Sequence, residues 1–123
     1  MRALVVDDST AVRLYLRHIL VAQGFEVVEA RNGSEGLERV HEQQMDLVLL
    51  DWNMPVMNGL ELLRHICSEP GMGSPCVMMV TAETDLNPLS QALKSGASEY
   101  VMKPFTPEII VGKLALLGFP VAA

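Results

Sequence analysis

Leu47-Val48-Leu49-Leu50-Asp51, followed by Trp52-Asn53-Met54-Pro55, is the stretch on which the fold turns. A short apolar run closed by a turn signal reads as a strand buried on both faces, the kind that fills a parallel sheet. Asp51 ends that run, so its carboxylate stands where open α/β sheets bind ligands. The start of the chain repeats the arrangement, with Ala3-Leu4-Val5-Val6 leading straight into Asp7-Asp8. If these two strands are neighbours, three carboxylates meet at one edge of one sheet. Crowded like charges destabilise a fold, but metal and phosphoryl chemistry can use them.

Working outward, strand and helix signals alternate to the end of the chain. Ser9 or Thr10 caps a first helix through Gln23, with Val12, Leu16, Ile19 and Leu20 at helical spacing and Gly24 as its stop. Phe25 to Glu29 alternates in the manner of an outer strand. Asn32-Gly33 reads as a turn, and Ser34 caps a short helix to about Gln44 that carries Leu37 and Val40 inward. Asp46 to Asp51 is the third strand, and Asn58-Gly59 opens a third helix with Leu60, Leu63 and Ile66 on one face. Pro70-Gly71-Met72-Gly73-Ser74-Pro75 is a loop by composition.

Cys76 to Thr81 is continuously apolar and reads as a central fourth strand. Asn87 before Pro88 predicts an N-cap with proline at the first helical position, and Gly96 ends that helix. Glu99 to Met102 is the fifth strand, and Thr106-Pro107-Glu108 starts a last helix to about Leu117. Strict alternation of five strands with five helices predicts a single α/β domain over residues 1–123. The expected architecture is a doubly wound parallel sheet with right-handed crossovers and helices on both faces.

Composition narrows the function classes. The chain has 123 residues, half of them apolar, enough for one buried core. A net charge of −6 argues against nucleic-acid binding, because phosphate backbones demand an excess of Lys and Arg. No apolar run approaches the roughly 20 residues of a membrane span, and the amino terminus lacks a signal-peptide pattern. The expected compartment is the cytoplasm. Cys67 and Cys76 belong to no metal or redox spacing and are expected to be reduced, core-type residues. His18, His41 and His65 fall in helical segments without metal spacing and read as partly exposed helix residues.

The chemistry lies just after each strand: Asp7-Asp8, Asp51, Thr81-Ala82, and Lys103-Pro104, with Glu29 as the outlier. Strand ends that flank the switch point of a doubly wound sheet line one crevice. Lys103 can neutralise one carboxylate, and all-oxygen ligands suit Mg²⁺ or Mn²⁺. A carboxylate is also a competent nucleophile toward phosphorus. Asp51, alone on the central strand, is the candidate nucleophile, and the Asp7-Asp8 pair suits the metal. Any one of these residues by itself reads as a cap or turn residue; the conjunction carries the argument. The Lys103-Pro104 bond is open to either isomer on sequence grounds.

These residues resemble those of response-regulator receiver domains of two-component signalling, most of all the CheY-type chemotaxis members. The resemblance spans the chain through Leu4-Val5-Val6-Asp7-Asp8-Ser9, Leu49 to Pro55, Asn58-Gly59-Leu60-Glu61-Leu62, Val80-Thr81-Ala82-Glu83, Ser95-Gly96-Ala97 and Tyr100 to Phe105. It implies the flavodoxin-like sheet order 2-1-3-4-5. It further implies that Asp51 accepts a phosphoryl group from a sensor histidine kinase or phosphotransfer protein. Mg²⁺ would be bound by Asp8 and Asp51, supported by Asp7, with the backbone carbonyl of Asn53 as a further ligand. Thr81, Ala82 and Lys103 would hold phosphoryl oxygens, Tyr100 would act as an aromatic switch, and Asn53 and Glu83 would tune the lifetime of the phosphate. The module would not be an enzyme beyond its own phosphorylation and dephosphorylation.

The implied output face comprises the fourth helix, fifth strand and fifth helix. Thr84-Asp85-Leu86-Asn87-Pro88 departs from the pattern by lacking the lysines of flagellar-motor-binding members, which leaves the output partner open, a chemotaxis-type one included. Ile109, Ile110, Val111, Leu114, Ala115, Leu116 and Leu117 exceed one core stripe, which predicts an output protein or a homodimer on the fifth helix. A chain ending just past that helix is expected to be a stand-alone module; a receiver within a larger regulator is the alternative. An FMN carrier with the same sheet order is disfavoured because Asp7-Asp8 would repel its phosphate. A Mg²⁺ phosphohydrolase would need more residues to build a substrate pocket.

Overall fold

The computed structural model describes residues 1–52, 54, 57–69, 71, 73–82 and 86–120, with the backbone alone over 86–89. Its elements alternate as β1 (Arg2–Val6), α1 (Thr10–Ala22), β2 (Glu26–Ala30), α2 (Gly33–Glu42), β3 (Leu47–Asp51), α3 (Gly59–Ser68), β4 (Cys76–Thr81), α4 (Leu86–Lys94), β5 (Glu99–Met102) and α5 (Pro107–Leu116). The strands form one parallel sheet in the order β2-β1-β3-β4-β5.

The apolar runs are explained by cover on both faces. Successive side chains of a strand point to opposite sides, and here each side meets helices. Leu4, Val6, Val48, Leu50, Val77 and Met79 join the core with Leu62, Leu63 and Ile66 of α3. Ala3, Val5, Leu47, Leu49, Met78 and Val80 join Leu16, Ile19 and Leu20 of α1 and Ile110 and Leu114 of α5. Leu49 and Leu50 thus anchor β3 in two cores at once. Each fully buried leucine contributes about 1.5–3 kcal/mol, so the strand that ends in Asp51 is rigidly held.

The caps differ from expectation in two places. Asn32, not Ser34, caps α2: its extended backbone lets the side-chain oxygen accept from the Glu35 amide at 2.8 Å. Ser34 therefore lies inside the first turn. α4 begins at Leu86, so Asn87 lies within it rather than capping it. Pro88 is tolerated there because first-turn amides have no intrahelical acceptor. Ser9, Asn58 and Thr106 cap α1, α3 and α5, Asn58 through a full capping box with Glu61. β2 runs one residue later than expected, and Phe25 turns into the core. Cys67 is exposed rather than core, because it follows Ile66 off the buried stripe of α3; Cys76 is half-buried, and both are free.

Candidate functional site

β1 and β3 are neighbours, with Val6 level with Leu50. Asp7 and Asp51 therefore emerge side by side at the carboxyl end of the sheet. One carboxylate oxygen from each of Asp7, Asp8 and Asp51 lies within 4.8 Å of the others. Asp7 is 1% exposed and Asp51 7%, whereas Asp8 faces solvent.

Asp7 is held from every side. Its amide donates to the Ala30 carbonyl at 3.1 Å, and its Oδ1 accepts from the Ser9 amide at 2.8 Å. Its Oδ2 accepts from Lys103 Nζ at 2.9 Å, and the same ammonium lies 3.6 Å from Asp51 Oδ2. Lys103 reaches the acids from beyond β5, where its amide donates to the Thr81 carbonyl at 2.8 Å. The Lys103-Pro104 bond is cis. Thr81, buried, ends β4 next to this lysine. Exposed Ala82 lines an apolar recess with Lys103, Ala11, Val12, Tyr15 and Phe105, the last two rings meeting edge to face.

A close approach sets the other wall. Gly59 opens α3 against the end of β3, where a Cβ would fall 2.3 Å from the Asp51 carbonyl oxygen. Only a residue without a side chain lets the helix start there. Its amide donates to the Trp52 carbonyl at 3.0 Å, which ties α3 to the residue after the acid.

The structure thus gathers Asp7, Asp8, Asp51 and Lys103, with Thr81 and Ala82 beside the lysine. Tyr100 stands apart on β5, half-buried against the core under α3, with Lys113 Nζ 5.3 Å from its ring centre. Asn53 and Glu83 lie outside the described residues, as does the Thr84-Asp85 part of the segment before α4. Sequence reasoning missed Arg13, which is buried and donates to the Asp7 carbonyl at 2.6 Å. The signal was present: Arg13 precedes Leu16 by three residues and Leu20 by seven, which places it on the buried stripe of α1. Glu29, the outlier at the end of β2, is its partner at 3.2 Å.

Among the described residues, three carboxylates against one ammonium leave two formal negative charges at the cluster. Oxygen-only donors with surplus charge fit a hard divalent cation, and Mg²⁺ in particular, which binds through one or two carboxylates beside a phosphate.

Comparison with known proteins agrees with this fold. Residues 3–115 match the response regulator receiver domain, and the chain belongs to that family. Its relatives include chemotaxis protein CheY1 of Helicobacter pylori, 38% identical over 119 residues that cover 95% of this chain and 96% of the relative. A chemotaxis protein CheY homolog of Campylobacter jejuni is 37% identical over 116 residues, covering 93% and 89%. Among solved structures, chemotaxis protein CheY4 of Vibrio cholerae superposes with a TM-score of 0.87 at 31% identity, covering 94% of this chain and 96% of that one. The protein is therefore a CheY-like receiver of two-component, phosphorylation-dependent signalling.

Proposed function

We propose that Asp51 is the phosphoryl acceptor, taking its group from a phosphohistidine on a sensor histidine kinase or phosphotransfer protein. The observation that carries this is the convergence of Asp7, Asp8 and Asp51 with one shared lysine at the strand ends. An Asp51 carboxylate oxygen attacks phosphorus, a P–O bond forms as the P–N bond breaks, and the leaving imidazole is protonated. Positioning and charge stabilisation supply most of the catalysis in such a transfer. Asp7, Asp8, Asp51 and the Asn53 backbone carbonyl would hold Mg²⁺, with Mn²⁺ as a substitute. The cation, when bound, neutralises charge on the phosphoryl oxygens. Lys103 exchanges its carboxylate partner for a phosphoryl oxygen, and the Thr81 hydroxyl and Ala82 amide take others.

The signal leaves through α4, β5 and α5. Tyr100 is the aromatic switch, responding to Thr81. Leu93, Met102, Ile109 and Leu116 are exposed on these elements, which suits an output protein or a second copy of the chain. Replacing Asn53 or Glu83 alters the decay rate of the phosphate. The module turns over no external substrate, binds no nucleic acid and works in the cytoplasm; none of its described helices is long and apolar enough to cross a membrane.

Trp52 adjoins Asp51 and reports on the site. Acetyl phosphate or beryllofluoride with Mg²⁺ is expected to change its fluorescence, and acetyl phosphate to add one phosphoryl group to the intact mass. Asp51→Asn abolishes both responses. A variant that still gains the phosphoryl group moves the acceptor elsewhere and overturns the assignment.

A further inference from the structure

We infer that Arg13 is a positioning residue for the acidic cluster, acting on Asp8 by clamping the peptide that carries it. This rests on the cation-binding reading above.

Arg13 is 8% exposed, and its guanidinium uses its three nitrogens in three directions. Nη1 donates to the Asp7 carbonyl at 2.6 Å, Nε to Glu29 Oε1 at 3.2 Å, and Nη2 to Thr10 Oγ1 at 3.2 Å. Glu29 is steadied in turn by Arg17 at 2.7 Å. A planar guanidinium with fixed donors transmits this geometry rigidly. The Asp7 carbonyl belongs to the peptide whose nitrogen is that of Asp8. Its orientation therefore sets the direction in which the exposed Asp8 leaves the backbone. The Asp7 carboxylate, by contrast, already has Ser9 and Lys103 to hold it. The clamp reaches the one acid of the three that faces solvent.

Charge and position make opposite predictions here. Two arginines and one glutamate leave a net positive charge behind the cluster, which repels an incoming cation. If Arg13 acted by charge, its loss would tighten Mg²⁺ binding. If it acts by position, its loss weakens binding. Glu29 offsets most of the guanidinium charge at close range, so position dominates.

The experiment is calorimetric Mg²⁺ titration of the full chain, paired with thermal melting in the absence of metal. Arg13→Met is expected to raise the Mg²⁺ dissociation constant about 10–100-fold, the usual consequence of losing an outer-shell partner. Arg13→Lys raises it comparably, because an ammonium on a flexible stem cannot hold the same three partners. Leu20→Ala, a core change on the same helix, lowers the melting temperature without moving the constant. Asp8→Asn abolishes Mg²⁺ binding. If Arg13→Met does not fold, Arg13→Lys decides. Unchanged or tighter Mg²⁺ binding in the folded arginine variants, with binding lost in Asp8→Asn, overturns the clamp alone. Binding retained in Asp8→Asn overturns the cation site and the clamp with it.

Discussion

Glu29 and Asp51 lie toward the ends of the two strands that flank β1, yet their surroundings are opposite. Glu29 is one carboxylate between two guanidiniums, Arg13 and Arg17. Asp51 is one of three carboxylates around a single ammonium, Lys103. The first group carries cations in excess of its one acid and offers nothing to a further cation. The second has surplus negative charge and a polar opening to solvent at Asp8. Charged residues at strand ends thus divide by stoichiometry: an acid matched by cations has its partners within the chain, whereas acids in excess have the charge that suits a cation.

Lys103→Met breaks that contrast most sharply. Removing one partner of a buried pair costs about 3–5 kcal/mol; partial exposure of the lysine brings this down to about 2–3 kcal/mol. Melting without metal is expected to show this loss. The same variant binds Mg²⁺ more tightly, because the competing cation is gone, and Mg²⁺ restores more of its stability than it adds to the parent. Calorimetry that finds no tighter binding would contradict the idea that lysine and metal share one set of acids.

Gly59→Ala tests the wall behind Asp51. Its Cβ would meet the Asp51 carbonyl at 2.3 Å, so the helix start must shift, at about 1–3 kcal/mol in urea unfolding. Gly112 on α5 is the control: a Cβ there meets nothing within 4 Å. Gly112→Ala is expected to stabilise by about 0.5–1 kcal/mol.

A third carboxylate extends the comparison to the far ends of α2 and α3. Glu69 accepts from His41 Nε2 at 2.8 Å and His65 Nδ1 at 2.7 Å. Those bonds, from His41 first, hold its carboxyl below the ordinary 4.5. A depressed carboxyl stabilises the fold above its unfolded pKa and loses that effect as pH falls through the folded value. The loss therefore falls below pH 4.5. Glu69→Gln should flatten this acid limb in urea melts taken across it, by a small amount because the group is exposed. Leu116→Ser is smaller still for stability, within about ±0.5 kcal/mol, since that side chain is 75% exposed. Its effect belongs to association: beryllofluoride-loaded protein is expected to sediment as a dimer, and the variant as a monomer. A parent that stays monomeric removes the homodimer from the output reading.

The order of elements was legible because period and composition are local. Leu47–Asp51 and Cys76–Thr81 announce themselves as doubly covered strands, and Gly24, Gly96 and Gly118 stop helices with left-handed backbone. The acids were legible for the same reason, each standing at the end of its strand. The pairing of Arg13 with Glu29 was not, since the stripe position of Arg13 marks its burial but not its partner, and only the sheet brings the two together. His41 and His65 likewise meet only through Glu69, which lies just past α3 and 28 residues from His41. The cap misread at Ser34 shows that neighbouring polar residues compete for one role, and the extended backbone of Asn32 decides it.

The bond from Lys103 to Asp7 joins positions 96 residues apart. Closing so long a loop carries an entropic penalty that only the assembled sheet offsets. The ammonium therefore reaches the acids only after β1, β3, β4 and β5 have all docked. If Lys103 serves the phosphoryl group as proposed, competence to receive a signal is conditional on completed folding: a partly unfolded chain presents the acids without their lysine.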